Sequence, residues 1–150
     1  MIVNGKGLLA ARPLEPMLDQ KYKAHGVSYG LSEAGYDIRI AQTVVLHPFR
    51  RFRLASTVER FKMPDDVVGV VHDKSTNARR GLSVFNTVLE PSWEGWLTIE
   101  LIYHGWGILR IPAGAGIAQV LFHRIEERAR YAGKYFGQPN RPVAAIMEKG

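Results

Sequence analysis

The chain has 150 residues, 46% of them hydrophobic, which is material for one domain with an ordinary core. Its formal charge is +6 and its pI is near 9.8, so an anionic partner is expected, and nucleic acid, nucleotide and membrane surface all qualify. It contains no Cys, which excludes a disulfide framework, a thiol nucleophile and any Cys-containing zinc site.

The first residues, Met1-Ile2-Val3-Asn4-Gly5-Lys6-Gly7, lack the long apolar core of a signal peptide. Nowhere do about eighteen apolar residues run together, the length a membrane span needs. The expectation is a protein that is neither secreted nor membrane-embedded, consistent with a cytoplasmic location. A helix is predicted over 14–22, with Pro13 near its first turn and Met17 and Leu18 facing inward. Short β-like runs follow at 36–40, 43–46, 51–55, 67–71, 82–86, 96–102, 108–111 and 117–123, with Pro64, Pro91 and Pro112 falling between them. Strands of this length and spacing predict an all-β barrel or sandwich. In Arg50-Arg51-Phe52-Arg53, period-two alternation predicts Phe52 inside and the arginines in water. No nucleic-acid-reading motif accompanies that basic run, so no nucleic-acid partner is expected. From Tyr131 onward the chain is rich in Gly, Pro and Asn and reads as an extended arm, 131–150, of a single domain spanning 1–150. Tyr131, Lys134, Tyr135 and Gln138 give that arm two aromatic and two polar contacts for a ligand or a neighbouring subunit.

Two segments carry chemistry. In Asp73-Lys74-Ser75-Thr76-Asn77-Ala78-Arg79-Arg80-Gly81, a single helical turn would place Ser75 and Arg79, an i, i+4 pair, on one face. The Ser75 and Thr76 hydroxyls and the free amides at its start would make an anion site, with Ser75 equally suited to capping the turn. In Trp96-Leu97-Thr98-Ile99-Glu100-Leu101-Ile102, alternation sends Leu97, Ile99 and Leu101 one way and Trp96, Thr98, Glu100 and Ile102 the other. Glu100 is thereby displayed from a rigid strand. The five histidines, His25, His47, His72, His104 and His123, show no metal-ligand spacing.

In order along the chain, these segments resemble the dCTP deaminase and trimeric dUTPase superfamily, and the deaminases most. Gly35-Tyr36-Asp37-Ile38-Arg39-Ile40 resembles the family's early Tyr-Asp-hydrophobic-Arg strand, and Ala55-Ser56-Thr57-Val58-Glu59 with Met63-Pro64 the strand and turn before its phosphate motif. Lys74-Ser75-Thr76-Asn77-Ala78-Arg79 is similar to the deaminases' basic-Ser-Ser-x-Ala-Arg motif, with Thr76 for the second Ser. Leu89-Glu90-Pro91-Ser92-Trp93-Glu94-Gly95 resembles their Ile-Asp-Pro-Gly-aromatic-x-Gly hairpin, Thr98-Ile99-Glu100-Leu101 their Thr-Leu-Glu-Leu, and Tyr131-Ala132-Gly133-Lys134-Tyr135-Phe136-Gly137-Gln138 their closing Gly-Lys-Tyr-x-x-Gln.

The resemblance implies a homotrimer of distorted, jelly-roll-like β-barrels of the β-clip type with short helices. Its active sites would lie between subunits, binding dCTP or dUTP with Mg2+ on the triphosphate. Lys74 and Thr76, with Tyr131, Lys134 and Gln138 from the arm, would hold the phosphates, where charge-assisted hydrogen bonds are the strong ones. Glu90 and Trp93 would contact the deoxyribose and enclose the base. Glu100 would be the general base, with Ser75 and Arg79 beside the reacting end of the pyrimidine. Arg79 would lower the Glu100 pKa and burial would raise it. Deamination at C4 of cytosine needs a water deprotonated and protons supplied to the ring nitrogen and the leaving ammonia, a shuttle one carboxylate can perform. Zinc deaminases instead use a His/Cys/Cys set that a chain without Cys does not supply.

The stretch 80–89 departs from the deaminase pattern. It is shorter, and Asn86-Thr87-Val88 stands where the family has the Thr-Ala pair lining the base pocket, which makes Val88 the corresponding wall. A shorter hairpin is also a dUTPase trait, and in dUTPases an Asp aligned with Glu90 activates water against the α-phosphate. The sequence therefore leaves dUTPase, a bifunctional dCTP-to-dUMP enzyme and a non-catalytic nucleotide-binding regulator open beside dCTP deaminase.

Overall fold

The structure is a computed structural model that describes all of residues 1–150. The chain opens with a short helix, α1 (Gly5–Ala11), that buries Leu8 and ends on Arg12 in the left-handed region. The helix predicted over 14–22 does not form. Its place is taken by β1 (Leu14–Glu15), an irregular segment and the start of β2 (Lys21–Ala24). Pro16 falls inside that stretch and disfavours the helical region for Glu15 before it, which is extended in β1. The local polar groups are satisfied from outside: the Leu18 amide donates to the Tyr36 hydroxyl (3.2 Å), which donates in turn to the Pro16 carbonyl (3.3 Å). Burial pushes the Tyr36 phenol up to about 12.

The remaining elements are β3 (Val27–Leu31), β4 (Tyr36–Arg39), β5 (Val44–Leu46), β6 (Phe52–Lys62), β7 (Val67–Asp73), α2 (Ser75–Ala78), β8 (Leu82–Val84), β9 (Val88–Leu89), β10 (Glu94–Tyr103), β11 (Leu109–Ile111) and β12 (Gly116–Arg124). All eight predicted runs are strands; β1, β2, β3 and β9 are additional. The turn between β2 and β3 is His25-Gly26, with φ of 53° and 77°, the two positive values of a type I′ hairpin. A Gly between runs was its only signal.

The strands form a six-stranded sheet in the order β2-β3-β4-β12-β7-β9, a four-stranded sheet β1-β6-β10-β8 and a β11-β5 pair, all antiparallel. A bridge between Ile40 and Thr57 joins the two larger sheets, which wrap around one core containing Tyr36, Ile38, Phe61, Val71, Ile99, Leu101, Ile117 and Phe122. This is the expected all-β, barrel-like class.

Where the two sheets meet, β6 carries a bulge. Its pairing with β10 jumps from Trp96↔Arg60 to Thr98↔Ser56. The Thr57 hydroxyl staples the irregularity, donating to the Glu59 carbonyl (2.7 Å) and accepting from the Leu97 amide (3.1 Å). Glu59 is thereby aimed into the interior, where its side chain is 0% exposed and takes the Arg39 amide (2.9 Å) and Nε (2.8 Å). Burial raises the Glu59 carboxyl above its ordinary value against the pull of Arg39. The guanidinium also lies 4.9 Å from the centre of the Tyr29 ring.

Register corrects one expectation about β6. Phe52 pairs with Ile102 and Leu54 with Glu100, so even-numbered residues of β6 face away from the core and Phe52 is half-exposed. Arg50 is exposed as expected, but Arg51 and Arg53 turn toward protein: Arg51 donates to the Tyr103 and Gly105 carbonyls, and Arg53 Nε is buried without a partner. The alternation was right in period and inverted in phase, because Ala55 and Phe61, not Phe52, belong to the core.

Replacing Glu59 by Leu strands the Arg39 charge between the sheets. The expected loss is about 3–5 kcal/mol of unfolding free energy in urea titrations; a loss below about 1 kcal/mol would show that the pair does not hold the two sheets together.

Candidate functional site

The outward face of the four-stranded sheet carries a cavity of about 370 Å³. Its floor is set by register: Phe52 and Leu54 of β6 lie beside Thr98 and Glu100 of β10. One wall is β9 and the turn after it, with Val88, Glu90 and Trp93. The Trp93 amide closes that turn onto the Glu90 carbonyl (3.1 Å), and Ser92 takes a φ of 63° where the family pattern has Gly. Trp93 is 4% exposed and packs on Phe61 of the core, so the wall is rigid.

The other wall is the arm, which lies along the chain's own β10. The Tyr131 amide donates to the Pro91 carbonyl (2.9 Å), Trp93 Nε1 to the Tyr135 carbonyl (2.7 Å) and the Trp96 amide to the Gln138 carbonyl (3.1 Å). Gly95 allows this approach, since a Cβ there would sit 2.6 Å from the Gln138 nitrogen. Tyr131, Tyr135, Gln138, Val143 and Ala145 thus close the cavity.

Glu100 is half-buried on the floor, and burial raises its carboxyl above the ordinary value. No Lys or Arg lines the cavity. The expected cations are elsewhere. Ser75 and Thr76 are exposed on the single turn α2 and Arg79 just after it; the turn is capped at Lys74 with no side-chain hydrogen bond, so Ser75 is not its cap, and the buried Asn77 anchors it by donating to the Gly116 carbonyl (3.0 Å). Lys74, with a side chain 12% exposed, is paired with the buried Asp37. Lys134 lies 3.5 Å from Glu148 and over the Tyr135 ring. Within one chain, then, Glu100, Val88, Glu90, Trp93, Tyr131 and Gln138 share the cavity, while Lys74, Ser75, Thr76, Arg79 and Lys134 stand outside it. Tyr135, expected as an aromatic contact of the arm, lines the cavity as well, and so do Phe52, Leu54, Thr98 and Val143; alternation along β10 places Thr98 on the Glu100 face, whereas no local pattern in the sequence marks Phe52, Leu54 or Val143. No group of three His, Asp or Glu is placed to hold a metal ion.

A family model described as dCTP deaminase-like matches residues 24–125. The chain is similar to the dCTP deaminase of Campylobacter jejuni strain RM1221, 35% identical over 176 aligned residues and covering 95% of each. It is similar as well to that of Herpetosiphon aurantiacus, 37% identical over 158 residues, 83% of this chain and 86% of the relative. Among solved structures, the EIAV dUTPase aligns with a TM-score of 0.56 at 16% identity, over 77% of this chain and 91% of that one. A mutant dUTPase from phage phi11 of S. aureus, described with coordination of a structural Mg(II) ion, aligns with a TM-score of 0.59 at 18% identity, over 82% and 96%. Those two likenesses establish a dUTPase-like fold.

Two outcomes follow from the geometry. Gly95→Ala should drive the arm off β10, so that chymotrypsin nicks at Tyr135 and Phe136 faster while the melting of the barrel stays put; unchanged nicking would mean the arm tolerates the Cβ. Ionising Glu100 costs stability because its folded pKa is raised. The stabilisation is complete below the unfolded value near 4.5 and is lost as pH rises through the folded value. Glu100→Gln should therefore raise the melting temperature at pH 8 and give no gain at pH 4, and a gain that did not depend on pH would contradict it.

Proposed function

This chain belongs to the dCTP deaminase-like family, and from that membership we propose that it is a dCTP deaminase, converting dCTP and water to dUTP and ammonia. It is an enzyme of the nucleotide hydrolase and deaminase kind. The observation that carries the finer reading is the division of the site: a largely apolar cavity lined by Glu90 and Glu100 and by no cation, and a separate turn that exposes the Ser75 and Thr76 hydroxyls and Arg79, with Lys74 beside it. Apposing the two surfaces from neighbouring subunits of a homotrimer completes one centre per interface.

In that centre the cavity takes the pyrimidine and sugar against Val88, Trp93 and Glu90. Lys74 and Thr76 of one subunit, with Tyr131, Lys134 and Gln138 of the arm, bind the triphosphate. Mg2+ would be held on the phosphate oxygens rather than by a cluster of the chain's acids or histidines, and would neutralise phosphate charge there. Glu100 removes a proton from water as its oxygen bonds to C4 and passes that proton to the ring nitrogen. It then transfers the remaining hydroxyl proton to the amino group as the C4–N bond breaks and ammonia leaves. Burial without a paired cation raises the basicity of Glu100, which suits this task. Ser75 orients the water, and Arg79 from the adjacent subunit balances the developing charge. The reaction would supply dUTP in the cytoplasm as a precursor for thymidine nucleotides.

A second reading rests on Glu90, which lines the same cavity as Glu100. A carboxylate at that wall could activate water against the α-phosphate, giving a dUTPase or a bifunctional enzyme that takes dCTP to dUMP. Incubation with dCTP or dUTP and Mg2+ separates the cases. Ammonia with dUTP is the expected result, pyrophosphate from dUTP indicates dUTPase, both products from dCTP indicate the bifunctional enzyme, and binding without product indicates a regulator. Glu100→Gln should abolish ammonia release while leaving dCTP affinity within about threefold, as loss of a group needed only for the chemical step requires; retained release would remove Glu100 from the mechanism.

A further inference from the structure

We propose that Thr98 is the positioning residue that latches the arm over the cavity and sets the direction of the Gln138 amide, a role that rests on the nucleotide-site reading above. Thr98 precedes Glu100 by two positions on the same face of β10 and is 6% exposed. Its Oγ1 accepts the Val143 amide (2.9 Å) and donates to Gln138 Oε1 (2.9 Å). One hydroxyl therefore ties two points of the arm, on either side of the Pro139–Pro142 turn that the Arg141 amide closes on the Pro139 carbonyl (2.7 Å).

The direction of the amide is read from its contact with Thr98: the single hydroxyl proton of Thr98 goes to Gln138 Oε1, while the Val143 amide takes one of the two acceptor sites on the same oxygen. The Gln138 carbonyl is then turned to the strand, and its NH2, which makes no hydrogen bond within the chain, is presented at the cavity edge as a donor pair. Such a pair selects a ligand rich in acceptors, such as the oxygens of a phosphate chain or a pyrimidine carbonyl. Strand formation does not require the hydroxyl, because Val has the same shape and an equal or better place in a sheet. Its consequence falls on the arm: without it the Val143 amide loses its partner and the Gln138 side chain is free to rotate.

The test uses the full chain and two readouts, hydrogen exchange of the Val143 amide and steady-state turnover of dCTP with Mg2+. Thr98→Val should speed Val143 exchange and raise the KM for dCTP, each by roughly tenfold for the loss of buried hydrogen bonds, with a smaller effect on kcat. Thr98→Ser, which keeps the hydroxyl, should restore both. Gln138→Glu should keep Val143 exchange slow, since a carboxylate still accepts from Thr98, yet raise KM because the donors are gone. Val143 exchange unaltered in Thr98→Val, or altered equally in Thr98→Ser, overturns the latch. If exchange responds as expected but wild type releases no ammonia from dCTP, the latch stands and the deaminase reading falls.

Discussion

Antiparallel pairing of β6 with β10 decides which side of the four-stranded sheet is apolar and which is chemical. With Phe52 opposite Ile102 and Leu54 opposite Glu100, Ala55, Ile99 and Leu101 go to the core, and Phe52, Leu54 and Glu100 go to the cavity. A slip of one residue would exchange the two sets. The bulge at Thr57–Glu59 lets the pairing continue beyond it with the same faces, and it supplies the acid that binds β4 to β6. Core, inter-sheet contact and cavity floor thus depend on one register.

The two shifted acids of this region differ in how their burial is compensated. Glu59 is wholly enclosed and receives an amide and a guanidinium from Arg39, so its cost is offset locally and it acts as a structural tie. Glu100 is half-buried, and the cavity around it holds no cation. Within one chain, its carboxyl is therefore held above the ordinary carboxylate range by burial alone. The arm has a matching logic. Its own residues bury little, and its order derives from β10, through a glycine that admits its backbone and a threonine that ties it at two points.

Much of the architecture was legible from local pattern. Eight strands were visible because alternation, β-branched residues and Pro or Gly boundaries are properties of short windows. Met17 and Leu18 suggest an inward helical face, but Pro16 keeps Glu15 extended and the Tyr36 hydroxyl takes the Leu18 amide, a contact 18 residues away that no local window shows. Phe52 was assigned to the wrong face because alternation has a period but no phase of its own; the phase came from Leu101 and Ile99 on another strand. Short β1 and β9, two residues each, have no periodicity to read, since both exist only by pairing with β6 and β7.

For the site, the sequence by itself determined residue types and order: an acid on a strand, a hydroxyl-rich cationic turn, an aromatic hairpin and an arm with Lys134 and Gln138, together enough to mark the family. Only the tertiary structure decided which of these meet. It placed Glu100, Glu90, Trp93, Tyr131 and Gln138 around one cavity, left Ser75, Thr76 and Arg79 on a separate surface, and paired Lys74 with Asp37. The reason is physical. Periodicity and motif chemistry act over a few residues, whereas strand register, the depth of a carboxyl and the docking of an arm are settled by contacts between segments distant in the chain, which no local window contains.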